Sequence, residues 1–297
     1  MSKGIVQAEE RLLCAIRQGS VPHACFISCP DGEIAAGIAK KAAALHCTGT
    51  ADEAMLSRTA DCIIPSCYKK EAIREEVIEE LGRGAFSGGR RAVLLLNASD
   101  IDPSTQNILL KTIEEPPNGV LFLLTGNDAG ILPTILSRCV PLRCGLPSVD
   151  DVARELMSRG VAEPDAQRFA AQGGTVSRAL RLSAEEDYRE LRKNAQDAMA
   201  LLLKGELPFD RLPAIASADG AHFMLSYMRD MLLCSLGRSA ECNPDRAAEI
   251  AALAPRFTTG RINCIIEALA SALERLSTNA PAGGTFTRLF TEITEEL

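Results

Sequence analysis

The residues best placed to do chemistry lie at the ends of apolar runs. Val120 to Leu124 has the length and richness of a central parallel strand covered on both faces, and it delivers a polar Thr125 at its carboxyl end. Ligands of α/β sheets bind at that edge. A second run, His23 to Cys29, leads through the turn Cys29, Pro30, Asp31, Gly32, Glu33, Ile34, Ala35, Ala36 into a helix over Ile34 to His46. A helix N-terminus reached this way favours anions, but Asp31 and Glu33 place like charge where an anion would sit. A third run, Ala92 to Leu96, ends at Leu96 and Asn97, and neither ligates magnesium as a carboxylate does. Asp100 and Asp102 lie just beyond it, suited to capping the next helix. His23, His46 and His222 have no serine or carboxylate arrangement around them, so a hydrolase triad is not supported.

The elements that position these residues are legible around the Val120 strand. Asp102 caps a helix with Pro103 at its first position and Leu109 and Ile113 on one face. Pro116 and Pro117 stop it, because the residue before proline is pushed out of the α region. After the strand, a second helix ends in Ser137, Arg138 and Cys139.

Asn107 to Cys139 resembles the core of bacterial replicative clamp-loader subunits of the AAA+ family, through the LLK-x-x-EEPP element, a sensor-1-like Thr125 and the Ser-Arg-Cys motif at 137–139. The resemblance implies a RecA-like AAA+ P-loop domain with a parallel sheet, and casts Arg138 as an arginine finger reaching a neighbour's bound nucleotide. In that family the turn after the first strand reads G-x-x-G-x-G-K-[ST]. Here Pro30 and Gly32 survive, Ala35 replaces the lysine and Ala36 the metal-holding hydroxyl. The acidic pair that orders magnesium and the attacking water falls on Leu96 and Asn97. Two losses in one site point to a non-catalytic subunit with no bound cofactor. Its implied partners are gamma/tau-type and delta-type subunits and, through the complex, the sliding clamp and primer-template DNA. The alternatives are an active gamma/tau-type ATPase with an unusual site, or an AAA+ scaffold of another DNA transaction.

Composition limits other readings. At 297 residues there is room for two or three domains, and 46% hydrophobic content supplies core material. Aromatics make up 4% with no Trp and the net charge is −7, which works against stacking on single strands and against phosphate binding. The N-terminal stretch carries Glu9, Glu10 and Arg11 within its only apolar pattern, so it reads as an amphipathic helix and not a signal peptide. No apolar run is long enough to span a membrane, and a cytoplasmic location is expected.

Eleven cysteines suggest reduced thiols used as small apolar residues. Clamp-loader relatives often carry a C-x8-C-x2-C-x2-C zinc module after the second helix. Cys47 matches its first position, but Cys62 and Cys67 are wrongly spaced even with His46 as a fourth ligand, so no metal is expected. Cys62 fits a strand over Asp61 to Ile64.

The remaining pattern gives three domains. A helix over Glu71 to Gly82 has Ile73, Val77, Ile78 and Leu81 on one face, and Gly88, Gly89, Arg90 and Arg91 turn the chain into the Ala92 strand. A last strand closes the first domain, 1–147. A lid of three short helices occupies 148–183, with Ser148 as a cap and glycine stops at Gly160 and Gly173. Its GGTVSRAL stretch resembles the sensor-2 region, with Arg178 in place of the sensor arginine and expected to hold the lid to the first domain. About five amphipathic helices over 184–297 make an all-α collar, where Arg229, Asp230 and Asn279 match positions of clamp-loader collars.

Overall fold

Unbroken burial along the central strands reflects helices on both faces of one parallel sheet. The computed structural model describes residues 3–83, 89–277 and 280–296; Gly88 and Asn279 fall outside them. The chain divides into two compact units, one of residues 1–152 with 175–177, the other of 153–174 with 178–297.

The first unit carries β1 (Ala24–Ser28), β2 (Cys62–Ile63), β3 (Arg91–Leu95), β4 (Val120–Gly126) and β5 (Val140–Arg143). They pair in parallel in the order β2-β3-β4-β1-β5. Leu121 and Leu123 of β4 join Cys25, Ile27 and Leu94 against α1 (Lys3–Arg17) and α2 (Gly32–Thr48). Phe122 and Leu124 face the other way, with Phe26 and Val93, against α5 (Pro103–Glu114) and the helix over residues 70–82. That two-sided burial is why β4 reads as an unbroken apolar run. The register sets Ser28 opposite Gly126 and Leu95 opposite Leu124. The turn after β1, Thr125 and the end of β3 therefore meet at one edge.

Three local expectations are corrected. The helix over 70–82 is α-wound only at its ends, α3 (Lys70–Ala72) and α4 (Glu80–Gly82); Ile73–Glu79 is π-wound, and Ile73, Val77 and Leu81 are buried while Ile78 is partly exposed. Arg91 does not turn the chain but opens β3, buried, with Nη1 donating to the Glu80 carbonyl at 2.8 Å. The helix expected to end in Ser137, Arg138 and Cys139 is a single turn, α6 (Pro133–Leu136), that stops at Leu136 with Ser137 as its cap.

The second unit is helical. It holds most of α7 (Val149–Ser158), α8 (Glu163–Gly173), α9 (Val176–Ala184) from Arg178 onward, α10 (Glu186–Leu202), the short α11 (Leu212–Ile215), α12 (Ala218–Ser235), α13 (Ala247–Leu253), α14 (Thr259–Ser277) and α15 (Ala282–Glu295). α12 is central, packed against α10 and α14, and Tyr188, Phe223 and Tyr227 are fully buried. The buried Asp230 carboxylate accepts the backbone N–H groups of Glu241, Cys242 and Asn243, pinning the loop between α12 and α13. Ser148 and Asp151, both in the first unit, cap α7 reciprocally. The left-handed residue ending α8 is Gly174 rather than Gly173. Gly173 is required for another reason: a Cβ there would stand 2.6 Å from the Ala179 backbone nitrogen.

Candidate functional site

The turn after β1 is organised by its own carboxylate. Asp31, 1% exposed, is the N-cap of α2: its Oδ1 accepts the Glu33 N–H at 3.1 Å, and its Oδ2 accepts the Val176 N–H at 2.5 Å. The end of a helix that elsewhere receives phosphate is thus served by a side chain of this protein. Ala35 is buried and Ala36 half-buried, so methyl groups stand at the lysine and hydroxyl positions. Pro30 and Gly32 are exposed. A Cβ on Gly32 would lie 3.4 Å from Asn97 Oδ1, which places the Asn97 carboxamide over the turn.

The end of β3 is closed in the same manner. Asn97 has φ 53°, the one positive φ outside glycine among the described residues, a conformation asparagine tolerates better than most. This turn aims its N–H at Thr125 Oγ1, 2.9 Å away, and Thr125 is fully buried. The Leu96 carbonyl accepts the Tyr68 hydroxyl. Leu96, Asn97 and Thr125 are brought together, and the threonine hydroxyl is engaged within the fold. Asp102 is the helix cap that its sequence position indicates: it takes the N–H groups of Ser104 and Thr105, and the Ser104 and then the Thr105 hydroxyls hold its carboxyl down at about 2.

The Ser-Arg-Cys motif splits between surface and core. Ser137 is the C-cap of α6 and donates to the Thr134 carbonyl. Cys139 is buried with Leu109, Ile113 and Ile135, and burial lifts its thiol to about 11. Arg138 lies between them with its side chain 32% exposed. Its Nη1 donates to the Thr134 carbonyl at 2.8 Å, and its Nη2 pairs at 3.0 Å with Glu114, the first acid of the EEPP element. Arg178 Nε donates to the Gly173 carbonyl at 2.8 Å within the second unit.

Sequence reasoning missed Gln106. It is buried, its Nε2 donates to the carbonyls of Ile101 and Gly130, and its Oε1 accepts the Leu132 N–H, each at 2.8 Å. This one side chain joins the start of α5 to the segment leading into α6, and so sets where Arg138 emerges. The available signal was a glutamine at the spacing of Leu109 and Ile113 on the apolar stripe of α5. Among the described residues no group of three or more His, Cys, Asp or Glu side chains is arranged to hold a metal ion. His46 Nε2 lies 2.9 Å from the Gly119 carbonyl, and the Cys47 thiol donates to the Asp61 carbonyl.

Residues 6–146 match the model of a family described as DNA polymerase III, delta subunit. Over 125 residues the chain is 37% identical to the DNA polymerase III subunit delta-prime of Pseudomonas aeruginosa, covering 40% of this chain and 38% of that protein. The likeness to delta-prime subunits thus lies in the sheet-bearing first part of the chain. The DNA polymerase III subunit delta-prime of Escherichia coli is 27% identical over 213 residues, 69% of this chain and 63% of that one. The matched stretches thus span less than two thirds of these relatives' length. A gamma-subunit-related protein of DNA polymerase III from Thermotoga maritima superposes with a TM-score of 0.42 at 16% identity, covering 97% of this chain and 99% of the other. The fold itself is read from the strand order and the two-sided helical cover.

Proposed function

We propose that the protein is a non-catalytic, delta-prime-type subunit of the DNA polymerase III clamp loader, which helps place the sliding clamp on primer-template DNA and lends Arg138 to a neighbouring ATPase. One observation carries the non-catalytic part: Asp31 caps the N-terminus of α2 through the Glu33 N–H and also holds the Val176 N–H, while Ala35 and Ala36 offer neither cation nor hydroxyl. A triphosphate approaching this turn would meet a buried carboxylate, and the loss of coordinating acids at Leu96 and Asn97 leaves magnesium without its ligands.

Arg138 is the group left to act outward. Its guanidinium is held at the surface by a half-exposed glutamate, and an exposed pair of this kind is weak enough, at most about 1 kcal/mol, to be exchanged for a neighbour's phosphate. In arginine-finger systems such a contact is worth roughly 10³ to 10⁵ in rate. Thr125 and Arg178, at the sensor positions, would then serve the fold rather than read a nucleotide. The domain limits 1–147, 148–183 and 184–297 belong to the same reading, with the last region acting as the collar that joins gamma/tau-type and delta-type subunits in the cytoplasm. No helix among the described residues is long and apolar enough to cross a membrane.

Equilibrium binding of a fluorescent ATP analogue to the isolated chain tests the central claim. No saturable binding up to high micromolar analogue is expected, and a dissociation constant in the low micromolar range overturns it.

A further inference from the structure

We propose that Cys29 and Cys144 form a dithiol site that reacts with a small disulfide of the glutathione type and closes to an intramolecular disulfide. β1 and β5 are paired up to Ser28 opposite Arg143, and the Cys144 N–H still donates to the Ser28 carbonyl at 2.8 Å, so the ladder reaches Cys144. The next step of the register sets Cys29 opposite Cys144. Neighbouring strands lie about 4.8 Å apart, within the roughly 4.4 to 6.8 Å between Cα atoms that a disulfide spans. Both side chains also join the same apolar cluster beneath α1 and α2, so they share a face of the sheet.

The two thiols are unequal in the way exchange chemistry requires. Pairing with the Cys144 thiol pushes the Cys29 thiol down, against partial burial. The same pairing, together with burial, pushes Cys144 up. Cys29 is half-buried and Cys144 is 8% exposed. Cys29 is thus the accessible nucleophile and Cys144 the sheltered resolving thiol. The other inward pairs lack this asymmetry: burial raises Cys47 to about 11 and Cys62 to about 12, and Cys25 and Cys139 belong to opposite faces.

The electron balance is that of two exchanges. The Cys29 thiolate attacks one sulfur of oxidised glutathione, breaking its disulfide and expelling one glutathione thiolate. Cys144 gives up its proton and attacks the Cys29 sulfur, releasing the second glutathione. Two cysteine thiols are oxidised and one glutathione disulfide is reduced to two thiols. Because Cys29 opens the turn containing Asp31 and β5 begins just after Cys139, the bond would staple the strand that follows Arg138 to the remnant of the nucleotide turn.

The test uses the full reduced chain incubated with oxidised glutathione, blocked with an alkylating agent, digested without reduction and read by mass spectrometry. A Cys29–Cys144 linked peptide, with neither residue carrying the alkylating agent, is expected whatever glutathione the exposed Cys14, Cys67 and Cys264 take up. Cys144→Ser should retain glutathione on Cys29, and Cys29→Ser should leave Cys144 unmodified. Should either variant fail to fold, the unaltered chain still decides: glutathione on Cys29 must appear first and give way to the linked peptide. A persistent glutathione adduct on Cys29, a different linked pair, or no loss of thiols overturns the proposal.

Discussion

The Asp31 carboxylate accepts the backbone N–H of Val176, a residue 145 positions further along the chain. The same side chain caps α2 through the Glu33 N–H. A helix N-terminus with its own carboxylate has part of its need for an anion met before any ligand arrives. The contact also fixes residues 175–177, which include the first residues of α9, to the sheet unit that contains Asp31.

Replacing that carboxylate should therefore cost more than a lost cap. Asp31→Ala removes a cap worth about 1 kcal/mol and strands a buried N–H worth about 1 to 3 kcal/mol, for a total of roughly 2 to 4 kcal/mol. Asp31→Asn keeps an acceptor and should lose less than half of that. Urea unfolding of the purified chain measures both. A loss for Asp31→Ala no greater than an ordinary surface substitution would show the contact to be weak.

Arg138→Ala should leave folding nearly unchanged, because its pair with Glu114 is largely exposed and contributes at most about 1 kcal/mol. In a reconstituted clamp loader it should lower DNA-stimulated ATPase and clamp loading only in part, since one ATP site among several would face this subunit. Glu114→Gln frees the guanidinium and should preserve both rates. Unchanged rates for Arg138→Ala would reduce the arginine to a local salt-bridge residue.

Metal analysis gives a separate check. His46 and Cys47 are engaged with backbone carbonyls, and Cys62 is raised to about 12 by burial, so none of them is a ready ligand. Elemental analysis of the reduced chain should find well under one zinc per molecule. One tightly held zinc would contradict this.

Acid sensitivity should have a component in the helical unit. Burial, and then Arg178, lower His222 to about 4, with Asp219 opposing. Unfolded histidine titrates near 6.5 and takes up a proton that the folded side chain refuses. The stability this group contributes is complete above about pH 6.5 and is lost as pH falls toward 4, by about 1 to 2 kcal/mol between pH 7 and 5. His222→Gln should flatten that part of the pH dependence, measured as urea midpoints at the two pH values. Equal slopes for both proteins would remove His222 from the account.

The sequence by itself determined the features whose signals are local. The strand that delivers Thr125, the Asp102 cap with Pro103, the stop at Pro116, the Ser148 cap and the replacements at Ala35, Ala36, Leu96 and Asn97 are all readable because they occupy fixed offsets from one another along a helix or strand. Tertiary structure decided which distant groups meet. Asp31 reads in sequence as a charge that repels phosphate, and only the packing gives it Val176 as a partner. Arg138 finds Glu114 because α5 and the segment after α6 converge, and Gln106 holds that convergence from inside. Cys29 and Cys144 become neighbours only because the strand order sets β5 beside β1. Offsets along an element follow from its helical or pleated repeat, whereas partners across the fold depend on sheet order and register, which side-chain packing over the whole domain selects.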